Sequence, residues 1–347
     1  MPRNTLPRRM KGVGILAAAT ASALLLAGCS TAGGSDSTAD ASADGSFPVT
    51  ISSALGDAVI PAAPERIVTI GWGTADTVVA LGETPVGLEA ATWGGDDDLY
   101  FPWVREAIEE SGAELPETFN VYPEVDVEAI LALEPDLILA PQSGITAEDF
   151  ATLTAIAPTV AYPEEPWQTA WDDQIEIIGT ALGKSDEAAD LIDGIQDQLD
   201  TAAAENPEFA DLSFAYVYTA EPGQLALYQA GDPRVDLISG LGLTLDPAVA
   251  AVPLSAGTFA STVGLEQADL LNDVDVLFTW FNDTDNQASI EAQPLFAQIP
   301  AFARGSYVPN VDNQLAMASS LLTPLSVPWA LDAYIPMIKD AAANVSK

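Results

Sequence analysis

The sequence predicts an α/β fold of two lobes joined by a single long helix. Short β-branched runs alternate with helix-like runs in both halves of the 347-residue chain, a pattern typical of sheets covered by helices. Between the halves, residues 185–206 carry apolar residues at helical spacing and are followed by a proline, which predicts an amphipathic helix. The apolar residues on its face are Leu191, Ile192, Ile195 and Leu199. A motif that occurs once in each half supports two lobes of the same kind.

The first 28 residues predict a secretory signal peptide. Basic residues from Arg3 to Lys11 precede an apolar run at 12–26, which is too short to span a membrane comfortably. Cys29 follows and is the only cysteine in the sequence, so disulfides, zinc–thiolate sites and cysteine catalysis are excluded. The Leu-Ala-Gly-Cys stretch ending at Cys29 resembles the lipobox of bacterial lipoproteins, which implies lipidation of this cysteine. The alternative is an ordinary cleaved signal with a chance cysteine.

Composition divides the rest of the chain. Residues 30–46 are rich in Ser, Gly, Ala and Asp without an apolar period, which predicts a flexible tether. Two or three acyl chains, at about 0.8 kcal/mol per buried methylene, would hold the tether at a membrane surface. The predicted division is a signal peptide at 1–28, a tether at 29–46, an N-terminal lobe at 47–184, the interlobe helix at 185–206 and a C-terminal lobe at 207–347.

Both lobes read as alternating strands and helices, and βαβ units in the first imply parallel pairing. The segment 91–122 departs from this pattern: it is long and aromatic, and we expect an irregular, functional loop. Predicted strands lie at 67–70, 85–88, 136–140, 159–162, 213–218, 225–228, 274–280 and 307–309. Predicted helices lie at 74–81, 126–133, 147–156, 167–182, 233–241, 265–271 and 328–343.

The repeated motif places one glutamate on each lobe. Residues 125–139 and 263–278 each combine an acidic start, a short helix and a strand. Glu128 and Glu266 occupy the first helical turn of their copies, where the helix dipole stabilises an anion by about 0.3–1 kcal/mol. That stabilisation alone would explain why a glutamate stands at either position. The repeat is imperfect, because Gly264 is a weaker N-cap than its counterpart in the first copy.

Charge and histidine content exclude several classes of function. Four of the 11 basic residues lie in the signal, which leaves 11 − 4 = 7 against 51 acidic residues, so binding to nucleic acid is excluded. The acidity is explained by a solubilised surface, and it also disfavours anionic ligands and attracts cationic ones. The absence of histidine rules out Ser-His-Asp catalysis and His-dependent metal sites. The acidic run at 96–98 lacks calcium-loop spacing and is expected to be a solvated loop.

Aromatic and polar residues recur just after the predicted strands, where α/β proteins bind ligands. Each could instead be a packing residue, but their convergence predicts a wide aromatic cleft between the lobes. Arg234 is the best placed arginine for this cleft, with a salt bridge at a helix start as the alternative. The candidate ligand-binding residues are Trp72, Trp93, Tyr100, Trp103, Gln142, Ser143, Tyr228, Arg234, Trp280 and Phe281.

Several stretches together resemble one known family, the substrate-binding lipoproteins of iron-siderophore and cobalamin type ABC importers. The resemblance covers roughly residues 47–343, and the Ile-Ala-Pro-Thr-Val stretch at 156–160 leans towards the ferric siderophore branch. It rests on residues 64–68, 80–82 with 85–87, 127–138, 156–160 and 263–267. It implies a helical-backbone periplasmic binding protein fold with two Rossmann-like lobes. It also implies that Glu128 and Glu266 dock into arginine pockets of the permease dimer, although Gly264 stands where the family commonly has a capping serine.

The resemblance implies capture of a ferric siderophore by a monomer anchored on the extracytoplasmic face of the membrane through Cys29. No cofactor of its own is expected, since ferric iron would arrive only within the siderophore. Few arginines in an acidic protein disfavour anionic ferric catecholates and favour neutral or cationic hydroxamate complexes. Haem or cobalamin binding by the same fold is the alternative, and a lipid-anchored enzyme is the alternative of another class.

Overall fold

A computed structural model describes residues 47–219, 223–255 and 260–345. The predicted signal peptide, lipidated Cys29 and tether lie outside the described residues. Within the described ranges, no single helix is long and apolar enough to cross a membrane, although two consecutive C-terminal helices, bent by 118° at their junction, pass the same test as a pair.

The N-terminal lobe is built on a parallel sheet of five strands. Its strands are β3 (Ile67–Thr69), β4 (Gly87–Glu89), β5 (Glu117–Phe119), β6 (Leu137–Leu139) and β7 (Thr159–Val160). They run in the order β5-β4-β3-β6-β7, and all pairs are parallel. β3 and β6 are buried along their whole length, as expected for a sheet covered on both faces. An antiparallel hairpin, β1 (Val49–Ser53) and β2 (Gly56–Ile60), precedes this sheet.

The helices of this lobe, apart from the second, lie close to their predicted positions. They are α1 (Thr74–Ala80), α2 (Pro102–Ser111), α3 (Val127–Ala132), α4 (Ala147–Thr154) and α5 (Trp171–Leu182). Asp126 caps α3 by accepting a hydrogen bond from the backbone N–H of Ala129, as predicted. The prediction of one irregular loop at 91–122 is wrong, because this segment contains α2 and β5. Pro102 begins α2 and Gly112 ends it, with Trp103, Val104 and Ile108 buried on one side.

The predicted interlobe helix is α6 (Ser185–Glu205), 21 residues long. Ile195 and Leu199 are its largest buried residues, and they join the hydrophobic core that also contains residues of both sheets. α6 lies against α5 at close range, since a Cβ added to Gly179 would stand 2.3 Å from that of Ala188. The helix begins at Ser185, as predicted, and its N-cap is Lys184. The ammonium of Lys184 donates a hydrogen bond to the carbonyl oxygen of Leu81 at 2.7 Å.

The C-terminal lobe contains a mixed sheet of six strands. Its strands are β8 (Ser213–Tyr218), β9 (Gln224–Tyr228), β10 (Thr244–Leu245), β11 (Ala260–Gly264), β12 (Val276–Trp280) and β13 (Tyr307–Asn310). The main order is β11-β9-β8-β12-β13, with β10 paired to β8. β9 pairs antiparallel with β8 and β11, while β12 pairs parallel with β8 and β13. The β12 and β13 pairing sets the carboxyl ends of these strands at one edge, facing the other lobe.

The helices around this sheet include several that the sequence did not reveal. They are α7 (Pro233–Gly240), α8 (Pro247–Ala250), α9 (Thr284–Glu291), α10 (Pro300–Arg304), α11 (Asn313–Leu321) and α12 (Ser326–Ala342). Leu265–Leu271 forms a 3₁₀ helix interrupted at Gln267, where a regular helix was predicted. Two lobes, each with a sheet and covering helices and joined by α6, confirm the predicted fold class.

Candidate functional site

A cavity of about 280 Å³ opens at the carboxyl ends of β3 and β4. Six aromatic side chains line it: Trp72, Trp93, Tyr100, Phe101, Tyr122 and Trp167. The residues of the N-terminal lobe form most of the wall, and Met317 of α11 reaches it from the C-terminal lobe. None of the described lining residues is basic, whereas Glu89 and Asp76 are acidic. We call this space the Glu89 cavity.

Glu89 is the last residue of β4, and the turn that follows β3 holds its side chain. The backbone N–H of Gly71 donates a hydrogen bond to Oε2 at 2.7 Å. Burial raises the pKa of Glu89, and this hydrogen bond partly opposes the rise. Gly71 has a φ of 90°, and a Cβ there would stand 2.2 Å from the carbonyl oxygen of Gln142, so only glycine fits this turn.

Asp76 connects the wall of the cavity to the other lobe. The side chain is 1% exposed, and its Oδ1 accepts hydrogen bonds from Nε1 of Trp103 and from Oγ1 of Thr323, both at 2.7 Å. Thr323 lies between α11 and α12 of the C-terminal lobe. Burial raises the pKa of Asp76 to about 6, against the effect of its two hydrogen bonds. A buried carboxyl therefore holds the two lobes together at this point.

A second cavity, of about 310 Å³, lies between the lobes. We call it the Arg234 cavity. Trp72 and Trp167, whose ring centroids are 5.3 Å apart, line both cavities and so separate them. The other residues that line it are Gln142 from the N-terminal lobe and Asp232, Pro233, Arg234 and Ser320 from the C-terminal lobe.

Arg234 carries the positive charge of this second cavity, but that charge is paired. Its Nε and one terminal nitrogen bond the two carboxylate oxygens of Asp232 at 2.8 and 2.7 Å. Its guanidinium carbon lies 4.0 Å from the ring centroid of Tyr228. Burial, the largest single cause, lowers the pKa of Arg234, but the charge and hydrogen bond of Asp232 together with Tyr228 and Tyr216 raise it overall. Both interpretations of Arg234 are therefore realised: it forms a salt bridge at the start of α7 and it lines a cavity.

The other described arginines are engaged away from the cavities. Arg66 bonds the carbonyl oxygens of Leu133 and Glu134, and Arg304 bonds those of Val274 and Asp275. Arg105 pairs with the acidic run that follows β4, through Asp96 and Asp98. That run is thus held by an arginine and is not simply a solvated loop.

Aromatic rings also bridge the lobes beside the cavities. Trp93 and Trp280 meet with centroids 5.2 Å apart. Trp280 stacks on Tyr218 at 4.1 Å with an angle of 5° between the rings, and its Nε1 donates to the hydroxyl of Tyr228 at 3.3 Å. Trp280 and Tyr228 thus support the cleft wall and lie outside the lining of both cavities.

The structure brings together part of the predicted ligand-binding set. Trp72, Trp93 and Tyr100 line the Glu89 cavity, and Gln142 and Arg234 line the Arg234 cavity. Whether these residues bind a ligand stays a prediction. Gln142 is itself engaged with the chain at 167–169, through hydrogen bonds to the Trp167 carbonyl and from the Thr169 N–H.

Besides Trp280 and Tyr228, three other predicted residues lie outside the lining of both cavities. Phe281 is fully buried in the core of the C-terminal lobe, because it follows Trp280 directly and successive side chains at a strand end point to opposite faces. Ser143 is 1% exposed and donates its hydroxyl to the carbonyl of Ala140. Trp103 is buried behind Phe101, on whose ring it stacks at 5.0 Å. These positions correct the predicted binding set.

Several lining residues were missed by sequence reasoning. Trp167 was assigned to a helix, but it precedes α5 and so belongs to a strand-end loop, which is the signal that could have found it. Met317 and Ser320 lie on α11, which was not predicted. Glu89 and Asp76 carried no signal, because a sequence with 51 acidic residues offers too many carboxylates.

The two candidate docking glutamates are exposed, one on each lobe. Glu128 lies in the first turn of α3, and Glu266 lies in the first turn of the 3₁₀ helix that follows β11. The carboxylate of Glu266 folds over Gly264, where an added Cβ would meet Oε2 at 2.2 Å. This explains why a side chain at position 264 would disturb Glu266. Docking itself stays a prediction.

Comparison with known proteins agrees with this architecture. Fe(3+) dicitrate-binding periplasmic protein FecB of Escherichia coli is 24% identical over 268 residues, 77% of this chain and 83% of that protein. Iron(3+)-hydroxamate-binding protein YxeB of Bacillus subtilis is 27% identical over 165 residues, 48% of this chain and 45% of that protein. The crystal structure of PiaA from Streptococcus pneumoniae in complex with ferrichrome is 32% identical with a TM-score of 0.77, covering 86% of this chain and 99% of that one.

Residues 67–308 match the model of the family described as periplasmic binding protein. This match spans more than half of the 347 residues, and the two-lobed fold agrees with it. The chain therefore belongs to the periplasmic binding protein family.

Proposed function

We propose that this protein captures a ferric siderophore of the hydroxamate type between its lobes and delivers it to an ABC permease. The observation that carries the proposal is the pair of adjoining cavities. One is aromatic and acidic, and the other is lined by both lobes and contains an arginine already paired with an aspartate. Clefts of this size, lined by aromatic residues with a few polar groups, are typical of small-molecule binding sites.

The charge of the cavities supports the hydroxamate class. A ferric catecholate carries several negative charges and would have to be neutralised by unpaired arginines or lysines. Among the described residues, Arg234 is the one basic residue that lines either cavity, and Asp232 already pairs with it. Neutral and cationic ferric hydroxamates need no unpaired basic residue to neutralise them. Two relatives support a ferric siderophore as the ligand, since PiaA was crystallised with ferrichrome and YxeB is named as a hydroxamate-binding protein.

Delivery to a permease is proposed from the two exposed glutamates. Glu128 and Glu266 occupy equivalent positions in the repeated motif, one on each lobe. Two equivalent charges suit a partner with two-fold symmetry. The lipobox-like stretch ending at Cys29 supports a lipid anchor on the extracytoplasmic face of the membrane. Together these features describe a binding protein, and relatives named as binding proteins support this over an enzyme.

Tryptophan fluorescence provides the test, because Trp72, Trp93 and Trp167 all line the Glu89 cavity. The full-length mature protein would be titrated with a ferric trihydroxamate, a ferric tricatecholate, haem and cobalamin. We expect saturable quenching with the trihydroxamate at the lowest concentration. Tighter binding of haem or cobalamin would replace the siderophore proposal with the alternative ligand, and no response to any ferric complex would refute it.

A further inference from the structure

Two polar atoms in the Glu89 cavity are left without a partner by the protein. Oε2 of Glu89 accepts the hydrogen bond from Gly71, but no residue in the described ranges donates to Oε1 or forms an ion pair with this carboxylate. Oγ1 of Thr69 is buried and has no hydrogen-bond partner among the described residues. Thr69 is 1% exposed and also lines the cavity. A fully buried hydroxyl such as that of Thr69 is rarely left in this state, and the carboxylate of Glu89 is half-buried.

The two groups are neighbours in the sheet. Thr69 ends β3 and pairs in register with Leu88, and Glu89 follows as the last residue of β4. Both residues line the cavity, Thr69 at the end of β3 and Glu89 at the end of the adjacent β4. A carboxylate only accepts hydrogen bonds, and a threonine hydroxyl can accept as well. A group with several N–H donors, such as a primary ammonium, can donate to acceptors of both kinds.

The surrounding rings suit a cation in the same position. Trp72, Trp93 and Tyr100 line the cavity with Glu89, and aromatic faces attract ammonium groups. No basic residue of the described chain supplies this charge. Arg105 lies 4.8 Å from the ring centroid of Tyr100, but Asp96 and Asp98 hold its guanidinium. The second carboxyl group of the wall, Asp76, already accepts two hydrogen bonds on Oδ1.

We propose that Glu89 is a specificity residue, whose carboxylate binds the protonated amine of a cationic ferric hydroxamate inside the aromatic cavity, with Thr69 as a second acceptor. The inference rests on the proposed function, because it names the member of that ligand class that the cavity fits best. The bound ammonium supplies the counter-charge that this half-buried carboxylate lacks among the described residues.

The test compares two ligands that differ at one terminal group, which is a charged amine in one and a neutral amide in the other. One is a linear ferric trihydroxamate with a free terminal amine, and the other is the same complex with that amine acetylated. We expect the wild-type protein to bind the amine form about tenfold more tightly, which corresponds to about 1.4 kcal/mol. Glu89→Gln keeps an oxygen that can accept from Gly71, but it removes the charge. This variant should bind the two complexes equally, with the affinity for the acetylated complex changed by no more than about twofold.

Two further variants make the result specific. Thr69→Val keeps the shape of the side chain and removes the hydroxyl, so it should lower the preference for the amine form without abolishing it. Glu148→Gln removes one exposed carboxylate from α4, far from either cavity lining, and should leave the preference unchanged.

The possible outcomes separate this inference from the proposed function. Equal and tight binding of both complexes by the wild-type protein would overturn the role of Glu89 and leave the proposed function standing. Equal loss of both ligands in Glu89→Gln would show a structural role only and would also overturn it. If neither complex bound to the wild-type protein, the proposed function would fail together with the inference.

Discussion

Replacing Asp76 by asparagine should increase the stability of the protein over the wild type, and this gain should be larger at neutral pH than at acidic pH. Asp76 is buried against Trp103 and Thr323, which both donate to its Oδ1. Asparagine is nearly the same size, and its Oδ1 can accept both hydrogen bonds. The substitution therefore removes the ionisation of this group while preserving the contact between the lobes.

The magnitude follows from the pKa of this carboxyl, which burial raises from 3.8 to about 6. Because the folded protein keeps the proton over a pH range in which the unfolded chain has lost it, the contribution of Asp76 to stability falls as the pH rises from about 4 to about 6. At about 1.4 kcal/mol per pKa unit, the full loss is about 3 kcal/mol above that range. The asparagine of the variant does not ionise and would carry no such loss.

Urea denaturation of the wild-type protein and of Asp76→Asn between pH 4 and pH 8 would measure this effect. The difference in the free energy of unfolding between the two proteins should shift by up to about 3 kcal/mol in favour of the variant, with most of the change below pH 7. Asp193→Asn, which changes an exposed residue of α6, is the matched control, and its difference in the free energy of unfolding from the wild type should not change with pH. If the difference for Asp76→Asn did not change with pH either, the argument from burial would be refuted.

Three further predictions concern residues of the C-terminal lobe and the docking surface. Phe281→Ala should cost about 3–5 kcal/mol of stability in denaturant melts and leave ligand affinity per folded molecule unchanged; a loss of affinity without a loss of stability would return Phe281 to the binding set. Arg234→Ala leaves Asp232 buried without its partner and should cost about 3–5 kcal/mol, while a stability within about 0.5 kcal/mol of wild type would contradict the buried pairing. Glu128→Ala combined with Glu266→Ala should abolish siderophore uptake by cells while ligand binding and melting temperature stay at the wild-type level, and intact uptake would exclude docking through these residues.

The sequence predicted those parts of the fold whose residues show a clear periodicity. α6 has one buried face, with Ile195 and Leu199 at helical spacing, and its position was predicted to within one residue at its end. α11 has no such pattern, because residues 315–321 are all buried and a helix buried on every side shows no amphipathic period. The missed helix carries Met317 and Ser320, so the contribution of these two residues to the cavities was missed with it, although Arg234 of the same lobe was predicted.

Cavity-lining residues were predicted where they follow a strand directly, and the errors arose from side-chain direction. Trp280 and Phe281 are adjacent at the end of β12, yet one faces the cleft and the other the core. Choosing between them requires the strand register, which depends on pairing with β8 and β13 and is not visible in the sequence of one strand. Likewise, the carboxylate of Glu89 is held by the backbone N–H of Gly71, in the turn that follows the neighbouring strand β3, and this contact is not visible in the sequence around β4.

The division of the two sheets along the chain has a consequence for how the protein is assembled. Every strand of the N-terminal sheet precedes α6 and every strand of the C-terminal sheet follows it, so the first sheet can form before the second half of the chain has emerged. Met317, Ser320 and Thr323, which supply the wall of both cavities and the bond to Asp76, come after the last strand of either sheet. The two cavities are therefore completed last, and a chain shortened before α11 would retain the strands of both sheets but would lack Met317, Ser320 and Thr323.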